Sequence, residues 1–138
     1  MLTRSLLAVA VLFGTSAALQ AAQVTHFVVK CVDRQEVSAD DIYLAATHDG
    51  QPVAWGADHQ NGTSNDNSIN MNDNDVLTLD SASLGLLKFD KTLQVVIKEK
   101  DVTADEIIGT VNITPTDGMK KAVFKSGDFE YHVEYKVE

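Results

Sequence analysis

Near the C-terminus, Phe129, Tyr131, Val133, Tyr135 and Val137 alternate strictly with Glu130, His132, Glu134 and Lys136. A period of two means a strand, because successive side chains of a strand point to opposite faces. A helix would scatter those five apolar residues around its circumference. One face of such a strand is wet and the other must be buried against a second layer. Ala122-Val123-Phe124-Lys125 precedes it across the turn residues Ser126-Gly127-Asp128, so the two segments are expected to form a closing hairpin.

The same reading extends along the chain. Strands are expected at Val24–Val32, Ile42–Thr47, Gln51–Trp55, Ser68–Met71, Val76–Leu79, Leu93–Lys98 and Ile107–Ile113. His48-Asp49-Gly50 is the turn between the second and third, and Pro52 suits an edge strand or a strand start. Asn70, Asn72 and Asn74 have the spacing of a calcium loop. The glycine and closing glutamate of an EF-hand are missing, so this run reads as strand plus turn. Ser81–Phe89 could make a turn or two of helix. About eight strands at regular spacing, separated by turn residues, imply an all-β, antiparallel β-sandwich. Cys31 is the lone cysteine, so no intramolecular disulfide can form. Alternation puts it on the face of Phe27 and Val29, as a buried thiol; an intermolecular disulfide is the alternative.

The N-terminus places the sandwich outside the cytoplasm. Arg4 precedes an apolar run, Leu6–Phe13, and small residues follow, with cleavage positions after Ala18, Ala21 or Ala22. That is the layout of a secretory signal peptide, and the run is too short to span a bilayer. We therefore expect a signal peptide at 1–22 and one domain at 23–138, in a periplasmic or secreted protein. The formal net charge is −9, and losing Arg4 makes it more negative. Such a domain repels nucleic-acid phosphates and anionic lipid, which argues against nucleic-acid binding and against membrane docking.

Chemistry is concentrated in loops. Lys98–Gly109 reads KEKDVTADEIIG and packs four acids between two strands; Asp33–Leu44 is a second acidic connection. Calcium needs six to eight oxygen ligands, which two such loops at one end of a sandwich can share. Gly56–Asn67, GADHQNGTSNDN, is long and polar, as binding loops are. His48 and His59 flank Gln51–Trp55 and, with Asp49 or Asp58, offer imidazole and carboxylate donors for zinc or copper. His132 belongs to a wet strand face, and Trp55 to the core or to a contact surface. There is no G-x-S-x-G elbow, no H-E-x-x-H, and no nucleophile beside a base, so catalysis is not expected.

Cys31–Leu44 and Leu93–Ile113 resemble two signature regions of the C2 domain, a β-sandwich of eight strands. Asp41-Ile42-Tyr43 is similar to that family's Asp-Pro-Tyr, with Ile in place of Pro. Glu99 and Asp101 match its alternating acids, with Glu where the family generally has Asp. Asp105 or Glu106 then precedes Ile107-Ile108-Gly109, as an acid precedes an apolar pair and glycine in the family. The resemblance implies a C2-like fold and a calcium site at Asp33, Asp40, Glu99, Asp101 and Asp105. C2 domains often dock on anionic membranes, which needs apolar or basic loop tips; here Val37 and Val102 are the only apolar tip candidates. The expected function is that of an exported, non-enzymatic binding module that holds calcium between its two acidic loops. The alternative is a metal-independent module of the cell envelope that binds a protein partner, of inhibitor or immunity type, through loop 56–67.

Overall fold

The computed structural model describes residues 21–36, 38–53, 68–80 and 88–138. Within them lie ten strands: β1 Ala22–Asp33, β2 Asp40–His48, β3 Gln51–Val53, β4 Ile69–Met71, β5 Val76–Asp80, β6 Lys88–Phe89, β7 Leu93–Glu99, β8 Glu106–Ile113, β9 Met119–Lys125 and β10 Glu130–Val137. They form two five-stranded sheets. One runs β5-β1-β10-β9, with β6 on the first residues of β1; the other runs β3-β2-β7-β8, with β4 also on β2. Every pairing is antiparallel.

The two sheets pack through the apolar rows that alternation picks out. Phe27, Val29, Cys31, Tyr131, Val133 and Tyr135 are buried on one sheet, and Ile42, Leu44, Val95, Ile97, Val111 and Ile113 on the other. Desolvation raises the Cys31 thiol above its ordinary pKa. The buried thiol is thus core filling, and an intermolecular disulfide would need an access that Cys31 lacks.

Strict alternation breaks at three irregularities, two of which decide burial. Between Val24 and His26, two residues of β1 face one step of β10. This lets Val24 and Phe27, an odd number apart, both face inward. A second irregularity lies between Cys31 and Asp33. In β8, Ile97 pairs with Gly109 and Lys98 with Ile107, which leaves Ile108 as the extra residue. Ile108 is buried while Ile107 is exposed. Gly109 lies under the ring of Phe124, where an ideal Cβ would come within 2.3 Å of Cγ, so only glycine fits there without a shift.

Helix at Ser81–Phe89 is corrected in part. Lys88–Phe89 is strand, pairing with Gln23 and Ala22, because Phe89 fills the core while its backbone joins the ladder; residues 81–87 lie outside the described part. So do residues 1–20 of the expected signal peptide, Trp55, the loop 56–67 and Val37. Among the described residues no helix is long and apolar enough to cross a membrane.

Candidate functional site

The inward row of β2 runs Asp40, Ile42, Leu44, Ala46 and His48. The facing row of β7 runs Leu93, Val95, Ile97 and Glu99, with Ile42 opposite Glu99 and His48 opposite Leu93. Alternation therefore turns polar side chains inward at both ends of an apolar row, and each end becomes a candidate site.

At the first end the β1–β2 and β7–β8 loops meet. Lys100 N donates to Asp41 O at 2.8 Å, and Gln35 Nε2 donates to Glu106 Oε2 at 2.6 Å. Asp40 is 0% exposed and Glu99 3% exposed, the two buried charged residues among those described. Asp40 is fully engaged by the protein. Its Oδ2 accepts from Tyr131 Oη at 2.6 Å and from Gln35 N at 3.0 Å, and its Oδ1 accepts from Glu36 N at 3.1 Å. Burial, with the bond to Asp40, raises the Tyr131 phenol above its ordinary pKa. Glu99 has a different surrounding. Burial first, then the nearby carboxylates of Asp40, Glu36, Asp101 and Glu106, push it up to about 7. In the β1–β2 loop, Gln35 Oε1 is a buried acceptor without a donor. The bond to Glu106 fixes the orientation of the Gln35 amide, because a flip would set oxygen against carboxylate oxygen.

The five acids that the C2 resemblance singles out separate accordingly. Asp40, Glu99 and Asp101 share this mouth. Asp33 pairs with Glu130 at the bulged end of β1, and its charge is felt at Lys125. Asp105 accepts a hydrogen bond from Tyr43 Oη on the outer face, where Lys98 Nζ also lies 5.9 Å from the Tyr43 ring centre. Of the pair Asp105 and Glu106, it is Glu106 that acts on Glu99. Gln35 and Glu36 complete the set. They sit inside the acidic connection, but only their backbone bonds to Asp40 show that the loop curls over the mouth. Val102 is fully exposed at the tip of the other loop.

At the opposite end, Asp49-Gly50 makes a two-residue hairpin turn with φ of 51° and 74°, the type I′ pattern that Asp-Gly favours. The turn brings Asp49 beside His48, and the approach to β7 brings Asp90. His48 Nε2 is 3.5 Å from Asp90 Oδ1 and 3.9 Å from Asp49 Oδ2. Among the described residues this is the one group of His, Cys, Asp and Glu whose donor atoms all lie within 4.8 Å of one another. His48 and Asp49 meet as the sequence suggests; Asp90 is the addition, and His59 and Asp58 lie outside the described residues.

No protein-family model matches the chain, and no curated protein matches it. Among solved structures, a chain described as the structure of a C2 domain is similar to it. The identity is 11% and the TM-score 0.45, over 85% of this chain and 96% of that one.

Proposed function

We propose that this protein is an exported binding module, not a catalyst, that takes up calcium at the mouth formed by the β1–β2 and β7–β8 loops. The observation that carries this is a buried carboxyl, Glu99, crowded by the carboxylates of Asp40, Glu36, Asp101 and Glu106, at a mouth whose β1–β2 loop also holds a buried acceptor without a donor, Gln35 Oε1. A bound cation would neutralise the crowded carboxyls and give the amide oxygen a partner. The donor set is all oxygen and suits a hard cation. Glu99, Asp101, Glu106, Glu36 and the Gln35 amide would hold the ion. Asp40, with both oxygens taken by protein donors, positions the loop.

Calcium, when bound, would supply the charge that lets the two loops close on each other, and the exposed Val102 tip would move with them. The test is a thermal melt at fixed ionic strength in EDTA, calcium or magnesium. At a calcium concentration of about 100 times the dissociation constant, stability should rise by about 2.7 kcal/mol, roughly 4–8 °C in a domain of this size. Glu99→Gln combined with Asp101→Asn should abolish the rise. A melt unchanged by calcium would refute the proposal.

A further inference from the structure

We infer that His48, Asp49 and Asp90 form a second metal site, for a borderline divalent ion of the zinc class, at the end of the sandwich away from the acidic mouth. It is independent of the calcium proposal, since it shares no residue with that mouth.

The inference starts from an atom in the wrong place for an ordinary ion pair. His48 Nε2 is out of reach of solvent and has no hydrogen-bond partner, although the side chain is 23% exposed. Two carboxylates face it, at 3.5 and 3.9 Å. A direct charge-assisted bond would draw one of them to about 2.7–2.9 Å. The Asp90 separation is instead that between neighbouring ligands of a tetrahedral ion, and Asp49 stands somewhat farther out. With bonds of about 2.0–2.2 Å, neighbouring ligands lie roughly 3.3–3.5 Å apart. All three donor atoms, one nitrogen and two oxygens, lie within 4.8 Å of one another, so the exposed carboxylates have only to swing inward to share one ion.

The parts that hold these donors are stiff where it matters. His48 closes the β2 inner row opposite Leu93. Asp49 is fixed by the type I′ turn. Asp90 follows Phe89, which is anchored in the core. Lys91 Nζ lies 3.3 Å from Asp49 Oδ2 and would have to leave, but its side chain is 68% exposed and free to swing into water. An imidazole and two carboxylates leave a dipositive ion neutral overall, with a fourth position for water. Asp49, alone of the three donors, also borders a surface cleft with Thr92 and Asn112 beside the turn.

The test is titration of the full chain with zinc chloride by calorimetry, and with cobalt by visible absorption, which reports tetrahedral coordination. A single micromolar site is expected. It should be weakened about tenfold or more by His48→Gln and by Asp90→Asn, tightened by up to about fivefold by Lys91→Ala, and unchanged by His132→Gln. Zinc should also shift the His48 ring-nitrogen resonances of the unaltered protein, a readout that needs no variant. Absence of binding up to about 1 mM zinc, or binding that survives both His48→Gln and Asp90→Asn, would overturn the inference.

Discussion

At one end of β2 the inward row finishes on Asp40, at the other on His48, and the two ends treat a polar group differently. Asp40 receives three hydrogen bonds from protein donors, one of them from Tyr131 on the opposite sheet. His48 Nε2 receives none. The first end is closed by the protein's own donors and leaves its unmet demand on Glu99 and Gln35. The second leaves the demand on the terminal residue itself, beside a tight turn and exposed carboxylates. A buried polar group that is satisfied stabilises the fold, whereas one that is unsatisfied marks where something else can bind.

The sharpest way to break the contrast is truncation. Asp40→Ala leaves the Tyr131 hydroxyl and two backbone N–H groups without an acceptor, and should cost about 2–4 kcal/mol in urea unfolding. His48→Ala should cost less than about 1 kcal/mol, since Nε2 makes no hydrogen bond to lose and the side chain is only partly buried. Equal costs would show that Asp40 is no more structural than His48.

Next in size is Glu99→Gln. Its carboxyl is held at about 7 in the fold, above the ordinary value of 4.5. The folded state therefore keeps a proton that the unfolded chain releases. The stability this group contributes is complete at acid pH and is lost as pH rises through 7. In EDTA at pH 8, Glu99→Gln should stabilise the protein by about 1–3 kcal/mol and flatten the fall in stability between pH 5 and pH 8, an effect near zero at pH 4. Melts across that range check it, and a variant less stable than the parent at pH 8 would count against a crowded mouth. Smallest is Gly50→Ala at the His48 end, where φ of 74° is awkward for a residue with a Cβ although nothing is near enough to clash. A loss of about 1 kcal/mol in the same unfolding assay is expected. A neutral outcome would mean the turn is looser than its dihedrals suggest.

Much of the fold could be read from residues alone because period two is a local signal. The faces of β7 and β10, the turn at Asp49-Gly50 and the burial of Cys31 all follow from it. The meeting of two acidic connections at one end was legible too, since one leads into β2 and the other leaves β7, and antiparallel pairing sets the start of β2 beside the end of β7. What escaped was lateral. Two-residue β6 carries too little pattern to announce itself, and it exists because Ala22 and Gln23 offer it an edge. Asp90 reaches His48 only because the register puts His48 opposite Leu93, which no local pattern specifies. Bulges shift parity in the same way: Ile108 as the extra residue decides that Ile107 faces water. Glu106, rather than Asp105, acts on Glu99 beside that same irregularity.

Gln23 and Glu138 exchange backbone hydrogen bonds, at 2.7 and 2.9 Å, at the end of the sandwich that also holds Phe89 and the Asp49 turn. The start of β1 and the end of β10 therefore lie together at that end. The molecule has a polarity like that of a lamp on a stalk: a support coupled at Glu138 would hold the His48 end toward it and the acidic mouth outward. A single anchoring point would sort the two ends into a near side and a far side, so that only the far one greets whatever approaches from solution.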